Sequence, residues 1–465
     1  MPLQTVQLFY LISAICFILS LKFLSSPRQA RIGSLLGVLG MSLALVVTFF
    51  LPNFGNIVPL MATILCGGLV GGYIARTISM TAVPQLVAGF HSFVGLSATL
   101  VAYAAIILPE NFAIGVSGAL PISSLIEISI GVSVGAITFS GSVIAFAKLQ
   151  GIMKSNVIKF PGQQYICLAI GVALVSLVVF FIKTEDIVLF NIVVLLSLLL
   201  GILLIIPVGG ADMPVVVSML NSYSGFAAVG IGFTLNNGLL VITGALVGTS
   251  GAILSYVMCK AMNRSLIKVI FGAFLKQQHN LTGNLDKDQV EKVTNPEDAA
   301  YLLQNASSVI IVPGYGMAVA QSQHVVKEMV DKLEALDIDV KFAIHPVAGR
   351  MPGHMNVLLA EANIDYSKVF ELEDINREFI NTDVVLVIGA NDVTNPAAKN
   401  NPDSPIYGMP ILDVEKAKTV IFIKRSMSSG YAGVENELFY RDNTLMLFGD
   451  AKKVTEEIVQ CLHDS

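Results

Sequence analysis

The first 259 residues contain very little charge. Only thirteen of them are Asp, Glu, Lys or Arg, against forty-eight in residues 260–465. A long apolar stretch with so few charges is excluded as the core of a water-soluble domain, and a segment as charged as residues 260–465 is excluded from lipid. The chain therefore combines a membrane part with a water-soluble part, and the change falls near Met258.

Paired cysteines and a signal peptide are also absent. The cysteines lie at positions 16, 66, 167, 259 and 461. This spacing predicts neither a disulfide nor a metal site, and cysteines in or beside apolar segments are expected to be buried structural thiols. The first apolar segment lacks a basic start and a small-residue cleavage site, so we expect it to remain as a helix.

Nine segments are long and apolar enough to cross a bilayer, which takes about 20 mostly apolar residues per helix. They lie at roughly 3–24, 32–51, 57–75, 86–108, 123–147, 164–182, 187–207, 213–235 and 238–259. Small residues recur four apart in several of them, for example Gly131/Gly135 and Gly244/Gly248. Because such spacing lets helices approach closely, we predict a tight bundle rather than a wide pore.

Basic residues fall almost entirely on one side of these segments. With an external N-terminus, ten Lys and Arg residues lie in internal loops and only Lys183 lies in an external loop. The positive-inside rule therefore predicts an external N-terminus and a cytoplasmic soluble part. Acidic residues outnumber basic ones in residues 260–465, which argues against a nucleic-acid partner.

Four polar residues of the membrane part are candidates for a proton path. His91 is its only histidine and lies in the middle of LVAGFHSFVGLSATL. Buried ionisable groups in membranes usually face a bundle interior or a water path, and histidine titrates near neutral pH. His91 is thus either a proton relay or a neutral packing residue. Asn221 lies in the eighth segment, Asp212 opens that segment, and Glu127 is either a path residue or a lipid-interface residue.

The soluble part alternates short apolar strands with amphipathic helices. Strands are predicted at 307–312, 339–344, 383–389, 419–424 and 444–449, with helices at about 317–336 and 451–462. This alternation predicts a parallel, doubly wound, Rossmann-like α/β sheet. We expect a transmembrane domain over 1–262, a linker over 263–295 and a nucleotide-binding domain over 296–465.

Two features of the strand ends predict a nucleotide site of an unusual kind. Gly314 and Gly316 open a helix straight after the first strand, as in a dinucleotide-binding turn, but Val319 stands where a third glycine is usual. The second strand is followed by His345 rather than by the acidic residue that contacts a free ribose 2′-hydroxyl. The sequence therefore offers a partial fingerprint and no contact specific to NAD.

A basic turn follows a later strand. Lys424, Arg425 and Ser426 suit a phosphate group, so they favour NADP over NAD, although a solvated basic turn has the same composition. The flexible run from Gly430 to Gly433 follows at once and is able to fold over a ligand. Asp392 lies in GANDVTNPAA, at the expected ligand edge of the sheet.

Eight longer segments are distinctive. They are PGYGMAVAQ (313–321), HPVAGRMPGHMNVLLAEA (345–362), GANDVTNPAA (389–398), KRSMSSGYAG (424–433), FGDAK (448–452), HSFVGL (91–96), GGADMPVVVSMLNSYSG (209–225) and GALVGTSGAILSYVMCKAMNRS (244–265). Together they resemble the beta subunit of proton-translocating NAD(P) transhydrogenase over essentially the whole chain. The sequence departs from that family at Gln85, where a glutamate is expected.

The resemblance implies that this chain binds NADP(H) and that a partner alpha subunit binds NAD(H). It also implies hydride transfer between the two nucleotides, coupled to proton movement. The expected assembly is a dimer of alpha–beta units in the lipid of a bacterial inner membrane, with a periplasmic N-terminus. His91 and Asn221 are implied as path residues, with Asp212 and Arg264 near the junction with the soluble domain, while Glu127 stays a further candidate. No residue is expected to act as a nucleophile or an acid–base catalyst.

The resemblance also implies roles around the nucleotide. Lys424 to Ser426 take the 2′-phosphate, Tyr315 and the run 347–352 line the pyrophosphate side, Gly430 and Tyr431 belong to a lid, and Asp392 lies near the nicotinamide. The full predicted NADP(H) set is Gly314, Tyr315, Gly316, Met317, Ala318, Val347, Ala348, Gly349, Arg350, Met351, Pro352, Gly389, Ala390, Asn391, Asp392, Val393, Gly408, Met409, Lys424, Arg425, Ser426, Met427, Ser428, Ser429, Gly430, Tyr431, Asp450 and Ala451. No metal ligand is predicted.

Two functions from other classes compete with this one. A transporter or channel regulated by a cytoplasmic nucleotide-binding domain requires a substrate site near mid-membrane, whereas the membrane part has few buried charges and no filter motif. A membrane-anchored NADP reductase that passes electrons to quinone requires a flavin or metal centre, and the sequence offers a site for neither.

Overall fold

The computed structural model describes the whole chain except residues 1–2, 25–28, 51–56, 80–81, 154–157, 159, 161, 210–211, 264, 267–268, 270–290, 352, 403, 405, 431 and 463–465. The predicted site residues Arg264, Pro352 and Tyr431, and most of the predicted linker, lie outside the described residues. The chain forms two compact units. The larger segments of the first are 1–154, 158–207 and 219–253, and those of the second are 208–218 and 254–465.

Long apolar helices make up the membrane part. They are α1 (Leu3–Leu24), α2 (Ala30–Phe49), α3 (Ile57–Thr77), α4 (Val83–Ile107), α5 (Ile122–Leu149), α6 (Gln163–Thr184), α7 (Ile187–Ile205), α8 (Met213–Thr234) and α9 (Gly238–Ala261). Each is long and apolar enough to cross a membrane. A helix suits lipid because it satisfies its backbone polar groups internally. The predicted multi-pass helical architecture is confirmed, and the helix bounds lie close to the predicted ones.

Glycines set the closest helix contacts of the first unit. A Cβ built on Gly95 of α4 would lie 2.5 Å from the backbone nitrogen of Phe139 in α5. A Cβ on Gly225 of α8 would lie 2.2 Å from the backbone nitrogen of Gly248 in α9. Because only glycine permits such approaches, the predicted tight packing holds for these helices. The four glycines of α3 differ, since no described atom lies within 4 Å of their built Cβ positions.

A lysine is buried at the end of α5. Lys148 is 1% exposed, and its ammonium group donates to the carbonyls of Ile205 and Ile206, where α7 ends. The Gln163 side chain donates to the carbonyl of Leu203 at 3.0 Å. The last carbonyls of a helix have no partner within that helix, so both side chains satisfy the end of α7. The prediction that Lys148 lies in a loop is wrong, because α5 extends to Leu149.

Six parallel strands form the sheet of the second unit. They are β1 (Ser308–Pro313), β2 (Asp339–Ile344), β3 (Val369–Glu371), β4 (Val384–Ile388), β5 (Thr419–Lys424) and β6 (Thr444–Phe448), in the order β3-β2-β1-β4-β5-β6. In register, Val309 of β1 pairs with Val340 of β2 and with Val384 of β4. This is the doubly wound order, so the predicted Rossmann-like class is confirmed. The edge strand β3, three residues long, was not predicted.

Helices and irregular segments cover the two faces of the sheet. The helices are α10 (Pro296–Gln304), α11 (Tyr315–Ala320), α12 (Gln323–Ala335), α13 (His354–Glu361), α14 (Leu372–Ile375), α15 (Ala397–Asn400) and α16 (Ala451–Cys461). Alternate residues of β1 enter different cores: Val309 and Ile311 pack on one face, and Ile310 and Val312 on the other. Both faces are therefore dry, as in a parallel sheet.

The single helix predicted over 317–336 is wrong in one respect. It is divided into α11 and α12 at Gln321, which has a left-handed φ of 51°. The backbone N–H of Ser322 then turns back to donate to the carbonyl of Met317 at 3.2 Å. A left-handed residue ends a helix because it breaks the repeat of helical dihedral angles. The short α11 places Tyr315 at the sheet edge.

Candidate functional site

A cleft of about 380 Å³ lies at the carboxyl edge of the sheet in the second unit. Here β1 and β4 are neighbours, while the chain leaves β1 toward β2 and leaves β4 toward β5. Ligands of doubly wound sheets bind at such a switch point. The lining residues are Met262, Gly314, Tyr315, Gly316, Val347, Ala348, Gly349, Gly389, Ala390, Asn391, Asp392, Val393, Ile406, Met409, Ser429, Gly430 and Ala432.

Glycines allow the two strand ends of this cleft to touch. Gly389 follows β4 with a φ of 65°, and a Cβ built on it would lie 2.3 Å from the Cα of Gly316. A Cβ on Gly314 would lie 2.4 Å from the carbonyl oxygen of Gly389. No other residue fits at these positions without moving the backbone. The cleft floor is therefore bare main chain.

The amides of the Gly314–Gly316 turn are used within the fold. The Gly314 N–H donates to the carbonyl of Ile388 at 3.0 Å, and the Gly316 N–H donates to the carbonyl of Gly389 at 3.1 Å. An ordinary dinucleotide turn directs its amides at the pyrophosphate. Here these two amides join the end of β1 to the end of β4, so neither of them is directed at a ligand.

Asp392 joins one wall of the cleft to the segment after β5. One carboxylate oxygen, Oδ2, accepts from the backbone N–H of Ala432 at 3.0 Å. A Cβ built on Gly430 would lie 2.3 Å from the other, Oδ1. The absence of a side chain at Gly430 therefore lets Gly430 and Ala432 lie directly against the carboxylate at the edge of the cleft.

Lys424 ends β5 close to this carboxylate. Its Nζ lies 4.3 Å from the ring centroid of Phe439 and has no hydrogen-bond partner among the described residues. Burial lowers the pKa of Lys424 to about 8, and the Asp392 carboxylate acts in the opposite direction. At pH 7 the group is still mainly an ammonium ion. A half-buried cation that lacks a described hydrogen-bond partner can accept an anion, although the Asp392 carboxylate already lies near it.

The rest of the basic turn is exposed and already has partners. The Nη2 of Arg425 lies 3.3 Å from Oδ2 of Asp450, and the hydroxyls of Ser426 and Ser428 are 2.8 Å apart. Asp450 also caps α16, since its Oδ1 accepts from the N–H of Lys452 at 3.1 Å. Asp450 thus has a structural role at the start of α16.

His345 fixes the loop after β2. Its Nδ1 accepts from the N–H of Val347 at 3.2 Å, and its Nε2 lies 2.7 Å from the carbonyl of Pro410. Since Nδ1 is an acceptor, Nε2 carries the hydrogen and donates to that carbonyl. Burial lowers the pKa of His345 to about 4, while the bond to Pro410 opposes this. His345 is therefore a neutral structural residue in place of the missing acid.

A second buried histidine supports the same loop. The Nδ1 of His354 accepts from the N–H of Arg350 at 3.1 Å. Burial, followed by the nearby Arg350 charge, lowers the pKa of His354 to about 4. The Arg350 guanidinium carbon lies 4.5 Å from the ring centroid of Tyr315. The loop after β2 and the start of α11 are thus joined beside the cleft.

The cleft includes about half of the predicted nucleotide residues. Those that line it are Gly314, Tyr315, Gly316, Val347, Ala348, Gly349, Gly389, Ala390, Asn391, Asp392, Val393, Met409, Ser429 and Gly430. Predicted residues that are described but do not line it are Met317, Ala318, Arg350, Met351, Gly408, Lys424, Arg425, Ser426, Met427, Ser428, Asp450 and Ala451. Met262, Ile406 and Ala432 line it and were missed; Met262 and Ala432 fall in segments that the sequence had singled out, and Ile406 does not.

The membrane candidates lie in different surroundings. The Nε2 of His91 on α4 is buried and has no hydrogen-bond partner within the described part of the chain. Asn221 on α8 is half-buried, and its backbone carbonyl accepts from Ser224 at 2.9 Å. Glu127 is half-buried on α5, and Asp212 comes directly before α8. In the described residues no hydrogen bond joins His91 to Asn221.

Gln85 has an explanation of its own. It lies in the first turn of α4, and its Nε2 donates to the carbonyl of Leu149 at 3.3 Å, where α5 ends. An ionised glutamate has no hydrogen to donate to that carbonyl. Gln85 therefore satisfies a carbonyl at the end of α5, which an ionised glutamate could not do.

Comparisons with known proteins agree with the resemblance. Residues 6–461 match the family model described as NAD(P) transhydrogenase beta subunit. The NAD(P) transhydrogenase subunit beta of Rhodospirillum rubrum is 58% identical over 455 residues, which cover 98% of either chain. The protein of the same name from a type-collection strain of R. rubrum has the same identity and coverage. These relatives match both units of the chain, so the similarity is not confined to the cleft.

Proposed function

The chain belongs to the NAD(P) transhydrogenase beta-subunit family, and from this membership we propose that its cleft binds NADP(H) while a partner alpha subunit binds NAD(H). A transhydrogenase is an oxidoreductase in which hydride passes between two nicotinamide rings, so no protein nucleophile is required. The residues of this chain bind and orient. Proton movement across the membrane supplies about 2.3 kcal/mol per elementary charge for each 100 mV.

Lys424 is the observation that carries the assignment of NADP(H) to this chain. A half-buried ammonium without a hydrogen-bond partner is unfavourable on its own, and an anionic group would offset that cost. The 2′-phosphate distinguishes NADP(H) from NAD(H). We assign the 2′-phosphate to Lys424 and to the neighbouring Ser426. Arg425 would also contact this phosphate, after releasing Asp450.

The glycine-rich floor fits a dinucleotide. At Gly314, Gly316 and Gly389 an added Cβ would clash with main chain, so the cleft has room at its floor only because side chains are absent there. Tyr315 and the loop 347–352 then line the pyrophosphate, and residues 430–432 cover the ligand. Asp392 is assigned to the nicotinamide end, where it also holds Ala432.

The membrane part is assigned to the proton path. His91 is the relay because it is an ionisable group whose Nε2 is buried without a described partner. Asn221 belongs to the same path, Asp212 and Arg264 to its junction with the soluble domain, and Glu127 is a further candidate. The same proposal divides the chain into a transmembrane domain (1–262), a linker (263–295) and a nucleotide-binding domain (296–465). It places the protein in the lipid of a bacterial inner membrane with a periplasmic N-terminus. The proposed assembly is a dimer of alpha–beta units.

The test compares two lysines at opposite ends of β5. Lys424→Ala should weaken NADP(H) binding about ten- to a hundredfold, since a hydrogen bond to a charged group contributes about 1.5–3 kcal/mol, and it should barely change NAD(H) binding. Lys418 comes directly before the same strand and pairs with Asp383, so Lys418→Ala is the matched control. Calorimetric titration of the purified chain measures both nucleotides. Equal losses for both nucleotides in Lys424→Ala would exclude the 2′-phosphate assignment.

A further inference from the structure

Phe439 is a buried aromatic residue outside the predicted nucleotide set. It lies in a short 3₁₀ helix, Glu437–Tyr440, between β5 and β6, and is 3% exposed. Its backbone N–H donates to the carbonyl of Asn436 at 3.2 Å. Its ring forms a T-shaped pair with Phe422 of β5, with centroids 4.9 Å apart and planes at 77°. Since both phenylalanines belong to the core on one face of the sheet, the position of the Phe439 ring is fixed by packing.

The same ring contacts Lys424. Phe422 and Lys424 are two residues apart in β5, so their side chains leave the strand on the same side. The Nζ of Lys424 lies 4.3 Å from the Phe439 ring centroid, well within the separation of about 6 Å at which a cation and an aromatic face attract. Nζ is buried and makes no hydrogen bond within the described residues. The ring therefore supports the ammonium group where solvent does not reach it.

This contact restricts a side chain that is otherwise mobile. A lysine side chain has several rotatable bonds, and fixing it when a ligand binds costs conformational entropy. Because the fold already holds the ammonium group against the ring, this cost does not fall on the binding of an anion. The Asp392 carboxylate favours the charged form of Lys424, whereas the ring favours one position of that charge.

We propose that Phe439 is a positioning residue for Lys424, and that it contributes to the preference of the cleft for a nucleotide with a 2′-phosphate. It acts through the ammonium group and does not touch the nucleotide. This inference rests on the proposed assignment of the 2′-phosphate to Lys424. Without the ring, binding of NADP(H) must itself fix the ammonium group. NAD(H) lacks this phosphate, so its binding does not depend on the ring.

Two variants remove the cation–π contact in different ways. Phe439→Leu removes the aromatic face and keeps an apolar side chain in the core. A trifluorinated phenylalanine in place of Phe439 keeps the shape of the ring, but its fluorine atoms withdraw the negative charge from the ring face. Each variant should weaken NADP(H) binding about three- to tenfold and leave NAD(H) binding unchanged, in calorimetric titrations of the purified chain.

Phe379 provides the matched control. It is 0% exposed and packs in the same core, but it precedes β4 at the amino ends of the strands, whereas Lys424 lies at the carboxyl end of β5. Phe379→Leu should lower the melting temperature comparably and leave the affinity for NADP(H) unchanged. In a chain that already carries Lys424→Ala, Phe439→Leu should have no further effect on NADP(H) binding, because the effects of coupled residues do not add.

The outcomes separate the two proposals. Wild-type NADP(H) affinity in the trifluorinated variant would overturn the role of Phe439, because the ring would then act by its shape alone. An equal loss in Phe379→Leu would also overturn it, because the effect would follow general stability. In either case a selective loss in Lys424→Ala would leave the 2′-phosphate assignment standing. Equal losses of both nucleotides in Lys424→Ala would exclude that assignment, and the role of Phe439 with it.

Discussion

The two units use their polar side chains in opposite ways. In the first unit hydroxyls mostly bond one turn back along their own helix, as Thr99 does to Gly95 at 3.0 Å and Ser129 to Leu125 at 2.6 Å. In the second unit polar side chains join distant segments: Asp383 accepts from the N–H of Ser307 at 2.9 Å, across 76 residues. A segment that must be satisfied within lipid keeps its bonds local, whereas a domain in water uses them to build a cleft.

This difference makes the exceptions in the first unit informative. His91 has a buried nitrogen without a described partner, and Lys148 bonds to another helix rather than to its own. An ionisable group in a membrane is costly unless it has a function or a partner. The comparison between the two units therefore predicts a functional role for His91 and a structural role for Lys148.

The largest effect is expected from His91. His91→Ala should abolish coupled proton uptake in proteoliposomes, a loss of at least about a hundredfold, since a positioned proton-transfer group contributes about 10²–10⁴. NADP(H) should still bind to the soluble unit, although its affinity in the assembled enzyme should change, because linkage between two sites is reciprocal. Proton uptake is measured beside nucleotide binding. Normal uptake would reduce His91 to a packing residue and direct attention to Glu127 and Asp212.

The next effect concerns the bare main chain of the cleft. Gly389→Ala should lower the free energy of unfolding by about 3–5 kcal/mol, because a left-handed φ and a main-chain clash add together. Gly353 has a similar φ of 67° but open space around its built Cβ, so Gly353→Ala should cost only about 1 kcal/mol. Denaturant unfolding, followed by a spectroscopic signal from the second unit, compares the free energies of unfolding of the two variants. Equal losses would show that the approach of β1 to β4 is not tight.

The two buried histidines should make the soluble unit sensitive to acid. The pKa of both His345 and His354 is lowered to about 4 in the folded chain. As the pH falls, the unfolded chain therefore protonates these two histidines at a higher pH than the folded chain does. The contribution of these neutral histidines to the free energy of unfolding is therefore fully present above about pH 6.5. It falls toward pH 4, by about 1–2 kcal/mol per histidine between pH 7 and 5. Lys418 holds the pKa of Asp383 below its usual value, so the stability that this carboxylate contributes is lost only at lower pH than that of the histidines. His354→Gln should remove about half of the slope in unfolding experiments, and an unchanged slope would contradict this origin.

The smallest effect is expected from Lys148. Lys148→Met keeps the apolar stem and removes the donor to the end of α7, which should cost about 1–3 kcal/mol. Lys183 lies in the last turn of α6 and is exposed, so Lys183→Met is the control and should be neutral. Thermal unfolding in detergent measures both. A neutral Lys148→Met would mean that the carbonyls of Ile205 and Ile206 find other donors.

The sequence alone determined the membrane helices, five of the strands and the family. Charge density locates lipid-facing segments because burying charge in lipid is costly whatever the fold. Strand and turn signals located the Gly314 turn, Asp392 and the basic turn at Lys424, since each comes at the end of an apolar run. The β3 strand was not predicted, because three residues carry too little periodicity to indicate a strand.

Only the tertiary structure decided how these pieces meet. It shows that the Gly314 amide bonds to β4 and the Gly316 amide to Gly389 after it, that His345 is a neutral support, and that the buried amides of Asn395 and Asn436 join residues 435 and 436 to the segment after β4. It also brings Ile406 and Met262 to the cleft. These relations depend on which segments the sheet order brings together, and no local pattern of residues encodes a contact between segments that are distant along the chain. The physical reason is that local propensity fixes elements, whereas packing fixes their neighbours.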